Sequence, residues 1–354
     1  MPGILPNDAP DLQITGVPAS AMNVATRQPE LFVVVLNWNG KDDLLECFGS
    51  LRSATYPIQV ILVDNGSKDS SVTEVRARFP EVSIIVNKTN VGFSGNNVGM
   101  EEALRRGAEY VLLLNNDTWV EPHCFQELIR AAEENPEVGI LSPRICYYSN
   151  PELIWYDGGK LDNVNGFLRH SHINSDRLTG SVDDRPMQLD YVCGCAMLIR
   201  RQVIEKIGAL DKRFFMYWED ADFSLRARQA GFRLLHVPAA TVLHKVSRSI
   251  GGFDSPDAYY YMERNRYFIS KKRTSVSARM ALIMAQIRNC FWEYCALMKM
   301  HRKEHALAIV EAAWDSLLGR GGKRRKKIPS ILLAWLEYRR RRPKLSHQTT
   351  PSSK

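Results

Sequence analysis

The chain has 354 residues, of which 45% are hydrophobic and 24% are charged, and this composition indicates a folded globular protein. No stretch reaches the roughly 18 uninterrupted apolar residues of a membrane-spanning helix, and the amino terminus lacks the basic and apolar segments of a secretory signal. Seven scattered cysteines do not suit a disulfide framework, so we expect a reducing, cytoplasmic setting.

The net charge of +8 is unevenly distributed along the chain. From Lys271 onward there are 20 Lys and Arg against 5 Asp and Glu, whereas the rest of the chain has 27 against 34. A mildly acidic body with a basic C-terminal part predicts an anionic partner for that part alone.

The first half of the chain alternates short apolar runs with amphipathic stretches. This succession predicts a βαβα order and a parallel, doubly wound α/β sheet. The predicted strands are 32–36, 60–63, 82–86 and 111–114. Helices are predicted over 42–51, after a cap at Asp69 or Ser70, over about 94–106, and from a first turn that contains Pro122.

The pattern changes after Val138. Residues 146–190 are rich in Gly, Asn, Asp and Ser, which predicts hairpins and a mobile loop. Further strands are predicted over 191–200, 232–237 and 241–244, with helices over 203–207 and 221–230. The C-terminal part is predicted to be helical, and its stretch 278–300 carries apolar groups around much of its surface.

Polar residues close the first two predicted strands. Because open α/β sheets bind ligands at the carboxyl ends of their strands, these residues are candidates for a nucleotide site. We predict that Asn37 and Asn39 contact a ribose or a base edge, and that Asp64 accepts the N3–H of a uracil or thymine ring. Taken alone, the first motif is equally well explained as a strand–helix connection, and the second is mostly a turn former.

A glycine- and amide-rich segment, Asn90 to Asn97, opens a predicted helix. Backbone N–H groups at a helix start suit phosphate or ribose oxygens, so we predict that Asn90, Gly95 and Asn96 bind the phosphate or ribose of a nucleotide. The segment is neither a P-loop nor a dinucleotide fingerprint. The alternative is a helix cap with a tight turn.

The Asn115-Asn116-Asp117 station follows a buried strand and is the candidate metal site. Mn²⁺ or Mg²⁺ prefers oxygen ligands and keeps positions open for phosphate, so we assign Asp117 as a ligand and Asn116 to the substrate. One carboxylate makes a lean site, and we choose His244, at the end of a predicted strand, as the second protein ligand. The alternative for His244 is an ordinary core or surface histidine.

The Trp218-Glu219-Asp220 station closes an aromatic run and opens a helix. Tyr217 and Trp218 would partly desolvate a carboxylate and make it a better base near neutral pH, so we assign Asp220 as the catalytic base. Trp218 and Glu219 are assigned to substrate binding. The alternative is that the helix dipole alone accounts for the acidic cluster.

Taken in order, these segments resemble family 2 glycosyltransferases with the GT-A fold. The matching segments are VVVLNWNG (33–40), ILVDNGSKDSS (61–71), NVGFSGNNVG (90–99), LLLNNDTWVEP (112–122), FFMYWEDADFSLRARQAG (214–231) and LHKVSRS (243–249). Within the family, the chain is most similar to bacterial rhamnosyltransferase-like enzymes of cell-surface polysaccharide assembly.

The resemblance implies a GT-A, Rossmann-like, doubly wound and mostly parallel sheet over 31–255. It also implies an inverting single displacement, in which Asp64 recognises the base, Asp117 binds the metal and Asp220 is the general base. Asn115 stands where the family's first metal-site aspartate often lies. The implied donor is a dTDP- or UDP-linked sugar, with rhamnose as a candidate, and the implied acceptor is a glycan or a polyprenyl-linked glycan.

Outside that domain we expect a disordered segment over 1–30, a basic amphipathic helical extension over 256–345 and a disordered tail over 346–354. The extension is predicted to rest on the anionic inner face of the plasma membrane, and its alternative is a helical subdomain packed on the body. The sequence leaves two alternative functions, a sugar-nucleotide nucleotidyltransferase and a nucleic-acid-binding protein. A nucleotidyltransferase should have a glycine-rich phosphate loop near the start of the chain, and none is present. Nucleic-acid binding would not use the acidic segments 115–117 and 218–220, so no nucleic-acid partner is expected.

Overall fold

The computed structural model describes residues 28–161, 168–178, 184–246, 254–273, 276–326 and 334. Over these residues the strands are β1 (Leu31–Asn37), β2 (Ile58–Asp64), β3 (Ser83–Val86), β4 (Tyr110–Asn115), β5 (Thr118–Val120), β6 (Val138–Tyr147), β7 (Asn150–Tyr156), β8 (Gly159–Leu161), β9 (Leu168–His170), β10 (Met187–Gln188), β11 (Ala196–Arg200) and β12 (Arg233–His244). The helices are α1 (Lys41–Leu51), α2 (Ser71–Arg78), α3 (Asn96–Arg105), α4 (Cys124–Glu134), α5 (Arg201–Ile207), α6 (Glu219–Gln229), α7 (Pro256–Arg273), α8 (Val276–Lys299) and α9 (Lys303–Leu317).

The main sheet has the order β10-β12-β6-β11-β4-β1-β2-β3, with β5 added beside β12 and β7 beside β6. Strands β3, β2, β1 and β4 are mutually parallel, as are β6 and β12, while β11 runs antiparallel between β4 and β6. The mostly parallel α/β sheet that the sequence predicts is therefore confirmed.

Both faces of the sheet are buried, and the alternation along β1 shows how. Val33 and Val35 face a core shared with α1 and α4, while Phe32 and Val34 face a core shared with α3. A strand buried on both faces is continuously apolar, as the run Leu31–Leu36 is. This packing fixes the carboxyl ends of β1, β2 and β4 at one edge of the sheet.

Three predictions about elements were wrong, and one strand was not predicted. That strand is β6, whose run contains Pro143, a residue that argues against a central strand. The predicted strand 191–200 begins only at Ala196, because residues 194–195 form a turn. Helix α4 begins at Cys124, so Pro122 lies in the turn before it. The predicted strands 232–237 and 241–244 are one strand, β12, with an irregularity at 237–241.

The three C-terminal helices pack together and onto the body. Helix α7 begins with Pro256, and the Ser255 hydroxyl accepts a hydrogen bond from the Ala258 N–H at 3.2 Å, as in an N-cap. Tyr260 and Tyr261 of α7 pack with Phe215 of the body. Among the described residues, none of the helices is both long enough and apolar enough to cross a lipid bilayer.

Candidate active site

The two acidic segments, residues 115–117 and 218–220, line one cavity of about 370 Å³. Asp117 reaches it from the connection between β4 and β5, and Asp220 from the first turn of α6. The predicted site residues that line this cavity are Asn37, Asn90, Asn116, Asp117, Trp218, Glu219, Asp220 and His244. The fold thus brings together the two carboxylates on which the predicted chemistry depends.

A chain of amide and carboxylate hydrogen bonds closes the end of the cavity that is formed by β1 and β2. Asn37 and Asp64 are partners in the register of β1 and β2, and Asn37 Nδ2 donates to Asp64 Oδ1 at 3.0 Å. Asp64 Oδ2 accepts from the Ser67 N–H at 2.8 Å. Asn116 Nδ2 donates to Asn37 Oδ1 at 2.8 Å, and this bond connects the Asn37–Asp64 pair to the candidate metal site. Asp64 itself is buried behind Asn37 and does not line the cavity.

Of the remaining predicted residues, Asn39, Gly95 and Asn96 lie near this end without lining the cavity. Asn39 is bonded to the next loop, since its Oδ1 accepts from the Lys68 N–H at 2.7 Å. A Cβ on Gly95 would lie 2.6 Å from Asn65 Oδ1 and 2.7 Å from Leu36 Cδ1, so the two segments approach closely here. Asn96 Nδ2 donates to Phe93 O at 3.1 Å. Asn90 does line the cavity, and its Oδ1 accepts from the Gly92 N–H at 2.8 Å.

Asp117 and His244 are placed beside each other by strand pairing. Strand β5 runs antiparallel to β12 with Thr118 opposite His244, and the Lys245 N–H donates to Asp117 O at 3.0 Å. Asp117 Oδ1 and His244 Nε2 are 3.2 Å apart, and both side chains are buried. Although burial alone would raise the pKa of Asp117, the neighbouring imidazole of His244 holds it below its ordinary value.

This pair fits two ligands of one divalent cation. Asp117 Oδ1 has no hydrogen-bond partner of good geometry, which is unusual for a buried carboxylate oxygen. Two adjacent ligands about 2.1 Å from an octahedral ion would stand about 3 Å apart, close to the observed spacing. The described residues hold no group of three or more His, Cys, Asp or Glu side chains around a common point. A cation there would need further ligands from the donor and from water.

The two carboxylates of the second station have different surroundings. Asp220 Oδ2 accepts from the Gly194 N–H at 2.9 Å and its Oδ1 from the Ala221 N–H at 2.7 Å. Burial raises the pKa of Asp220, and these two amides offset the rise only in part. Glu219 Oε2 is buried without a hydrogen bond, and burial, followed by the charge of Asp220, raises its pKa well above the ordinary value. Asp220 is thus the positioned carboxylate of the two.

The 213–218 loop that precedes α6 is conformationally strained. Phe215, Tyr217 and Trp218 have positive φ angles of 61°, 64° and 73°. A left-handed backbone costs about 1–3 kcal/mol at each such residue. Gly92 lies against the loop, where a Cβ would stand 1.9 Å from Phe215 O, and the Phe93 N–H donates to the same oxygen at 2.7 Å. The Asn90 to Asn97 segment and the 213–218 loop are therefore in direct contact.

Several residues of the cavity wall were not predicted from the sequence. They are Trp38, Asn65, Phe93, His170, Tyr191, Cys193, Gly194, Cys195, Met216 and Met262. Gly194 sits in the turn that shortened the predicted strand, and its N–H holds Asp220. A glycine between two buried cysteines at the end of an extended segment is the signal that could have indicated this turn. Met262 comes from α7, and no pattern in the sequence connects that helix to the cavity.

Two basic residues near the cavity are held in ion pairs. Lys245 follows His244, and its Nζ pairs with Asp43 at 2.7 Å and with Glu46. On α6, Arg226 Nε donates to Asp222 Oδ2 at 2.9 Å, an i,i+4 pair. The chain's seven cysteines are all free thiols.

Relatives with similar sequences include two named rhamnosyltransferases. An N-acetylglucosaminyl-diphospho-decaprenol L-rhamnosyltransferase of Mycobacterium tuberculosis is 30% identical over 241 residues, which cover 62% of this chain and 77% of that protein. Rhamnosyltransferase WbbL of Escherichia coli is 31% identical over 252 residues, covering 69% of this chain and 94% of that protein.

Solved structures show the same fold at low sequence identity. The crystal structure of GalNAc-T7 with UDP, GalNAc and Mn²⁺ is 17% identical with a TM-score of 0.54, covering 73% of this chain and 54% of that one. Staphylococcus aureus TarS 1-349 in complex with UDP-GlcNAc is 13% identical with a TM-score of 0.52, covering 88% of this chain and 87% of that one. The family model for Glycosyl transferase family 2 matches residues 32–208. The chain therefore belongs to glycosyltransferase family 2, and its catalytic domain has the GT-A fold.

Proposed function

We propose that this glycosyltransferase inverts the anomeric centre as it moves rhamnose from a dTDP- or UDP-linked donor to a hydroxyl of a lipid-linked glycan. The choice of sugar is supported by the names of the M. tuberculosis and E. coli relatives, and by a dTDP-rhamnosyl transferase of Shigella flexneri that is 21% identical. The observation that carries the mechanism is the convergence of Asp117 and Asp220 on one cavity.

The donor occupies the end of the cavity formed by β1, β2 and the Asn90 segment. Asp64 reads the pyrimidine base with Asn37 and Asn39 beside it, and Asn90, Asn96 and the backbone at Gly95 support the ribose and phosphates. Asn116 links this end to the metal site, because its amide already donates to Asn37 at 2.8 Å. Asp64 would need its present partners, Asn37 and Ser67, to give way to the base.

Asp117 and His244 hold a divalent ion, Mn²⁺ or Mg²⁺. When bound, the ion offsets the negative charge that grows on the departing diphosphate. An imidazole ligand favours Mn²⁺ over Mg²⁺, since Mg²⁺ selects oxygen ligands more strictly.

Asp220 acts as the base at the acceptor end. The acceptor oxygen attacks the anomeric carbon, the bond from that carbon to the diphosphate oxygen breaks, and the diphosphate leaves with the bonding electron pair. Asp220 takes the proton of the acceptor hydroxyl, and its raised pKa makes it a stronger base than an ordinary aspartate. Trp218 and Glu219 flank the acceptor. No nucleophilic side chain is needed for a single displacement.

The helical extension supplies a surface for the membrane that would carry a polyprenyl-linked acceptor. On α8, Met280, Met284 and Ile287 are exposed at helical spacing and form one apolar stripe. Trp292 is also exposed on α8, as is the basic side chain of Arg288. Apolar and aromatic groups beside positive charge are typical of a helix that lies in an anionic lipid interface.

Vesicle co-sedimentation tests this surface. Replacing Met284 and Trp292 by Gln, or deleting residues 320–354, should release the protein from anionic vesicles, while Val86→Gln, an exposed apolar residue at the sheet edge, should not. Equal binding by all of these variants would assign the helices a purely structural role.

The function itself is tested with a panel of nucleotide sugars. Thermal shift with and without Mn²⁺ identifies the donor, and mass spectrometry with a GlcNAc-diphospho-lipid acceptor identifies the product. The proposal predicts a metal-dependent shift with dTDP- or UDP-linked sugars and a rhamnosylated product. A different sugar in the product would show that the proposed donor is wrong. The same anomeric configuration in donor and product would contradict an inverting single displacement.

A further inference from the structure

Helix α7 carries two adjacent polar residues that are completely buried. Arg264 and Asn265 each have none of their surface exposed. A fully buried guanidinium is uncommon unless its charge and its donors are satisfied. The hydrogen-bond partners of Arg264 and Asn265 therefore indicate their role.

Both side chains are bonded to the backbone of the 213–218 loop. Arg264 Nη2 donates to Phe214 O at 2.8 Å and to Arg213 O at 3.0 Å. Asn265 Nδ2 lies 2.8, 2.7 and 2.9 Å from the carbonyl oxygens of Phe214, Met216 and Tyr217. The two are also linked to each other, since Arg264 Nε donates to Asn265 Oδ1 at 2.8 Å.

These hydrogen bonds satisfy backbone carbonyl groups of the 213–218 loop. Two of its carbonyl oxygens accept from backbone groups of other segments, Phe215 O from the Phe93 N–H and Arg213 O from the Gly322 N–H, each at 2.7 Å. The carbonyl oxygens of Met216 and Tyr217 accept from Asn265. Buried carbonyl groups require donors, and Arg264 and Asn265 provide them from outside the catalytic domain. The loop leads directly into Trp218, Glu219 and Asp220, so its path sets where the carboxylates stand.

We infer that Arg264 and Asn265 are positioning residues for Asp220, and that the helical extension is therefore a working part of the transferase. The inference rests on the proposed role of Asp220 as the base. Neither residue lines the cavity, so they act through the loop and not on the substrate. A shift of about 1 Å in a reacting group can cost about 100-fold in rate.

The test is the isosteric variant Asn265→Asp in the full chain. It keeps the shape and the bond from Arg264 but replaces the amide donor by a carboxylate that faces three carbonyl oxygens. We expect kcat to fall about 100-fold while the affinity for the nucleoside diphosphate, measured calorimetrically with Mn²⁺, stays within about twofold. The control Arg302→Ala breaks an ion pair of the same extension, 2.6 Å to Asp254, and should leave both quantities unchanged.

A normal kcat in Asn265→Asp would overturn the inference. So would a parallel loss of kcat and nucleotide affinity, because that is the sign of general destabilisation. If Asn265→Asp does not fold, Arg264→Lys is judged by the same two measurements, since it keeps the charge and loses the planar fork. Full activity in Asp220→Asn would instead refute the proposed function, which separates the two failures.

Discussion

Replacing His244 by alanine tests the metal site most sharply. His244 Nε2 is 3.2 Å from Asp117 Oδ1, and the described residues place no third His, Cys, Asp or Glu beside this pair. A site with two protein ligands loses half of its protein coordination when one is removed. The ring also packs edge-on against Trp155, at 4.8 Å between ring centroids, so the variant leaves a small void there.

The expected effect is large compared with that of removing an outer partner. Loss of an outer-shell partner typically weakens metal binding 10–100-fold, so loss of a direct ligand should raise the Kd for Mn²⁺ by about 100-fold or more. This corresponds to about 2.7 kcal/mol. The assay is a calorimetric Mn²⁺ titration in the presence of saturating nucleoside diphosphate.

A matched histidine lies outside the cavity. His172 Nδ1 is 2.9 Å from Asp157, so His172→Ala removes a histidine–carboxylate pair of the same kind. Its Mn²⁺ affinity should equal that of the unmodified protein. Equal Mn²⁺ affinity in His244→Ala would refute the reasoning, and the second protein ligand would have to be sought elsewhere.

Three further predictions concern the second acidic station and its support. Because the folded protein holds the proton of Glu219 more tightly than the unfolded chain, stability falls as pH rises above the ordinary value of 4.5. Glu219→Gln removes this loss, so the Tm of the variant minus the Tm of the unmodified protein should increase from about pH 5 to about pH 8. A Tm difference that does not change with pH would contradict the raised pKa of Glu219. Asp220 must be deprotonated to act, so kcat should rise with pH through a value above 3.8, and a profile that is flat down to that value would count against it. Gly92→Ala places a Cβ 1.9 Å from Phe215 O and should destabilise the protein by more than about 2 kcal/mol in denaturant titration. The control Gly107→Ala, with positive φ but no neighbour within 4 Å, should cost about 1 kcal/mol.

The parts of the fold that could be predicted are those governed by local pattern. The strands around Val33, Leu62 and Leu113 are buried on both faces, so they read as apolar runs between helices. Asn37, Asp117 and Asp220 could be placed at one site because parallel strands end at one sheet edge and because the ordered segments resemble one family. Their assigned roles stay predictions.

The parts that could not be predicted depend on contacts between distant segments. Strand β6 contains Pro143, and only its place between β11 and β12 makes it a strand. The turn at Gly194 is explained by its bond to Asp220, which no local pattern shows. Likewise, nothing in the sequence of α7 indicates that Arg264 and Asn265 hold the loop before α6, since that relation exists only after folding.

Single-turnover sugar transfer by Asp220→Asn tests the central claim most directly. The variant keeps the size of the side chain and removes the basic oxygen pair, at the cost of one bond from Gly194 or Ala221, or about 1 kcal/mol of stability. With donor and Mn²⁺ bound as in the unmodified protein, the account predicts a transfer rate lower by a factor of about 100–10,000. A rate near that of the unmodified protein would show that another group takes the proton, and the proposed mechanism would be wrong.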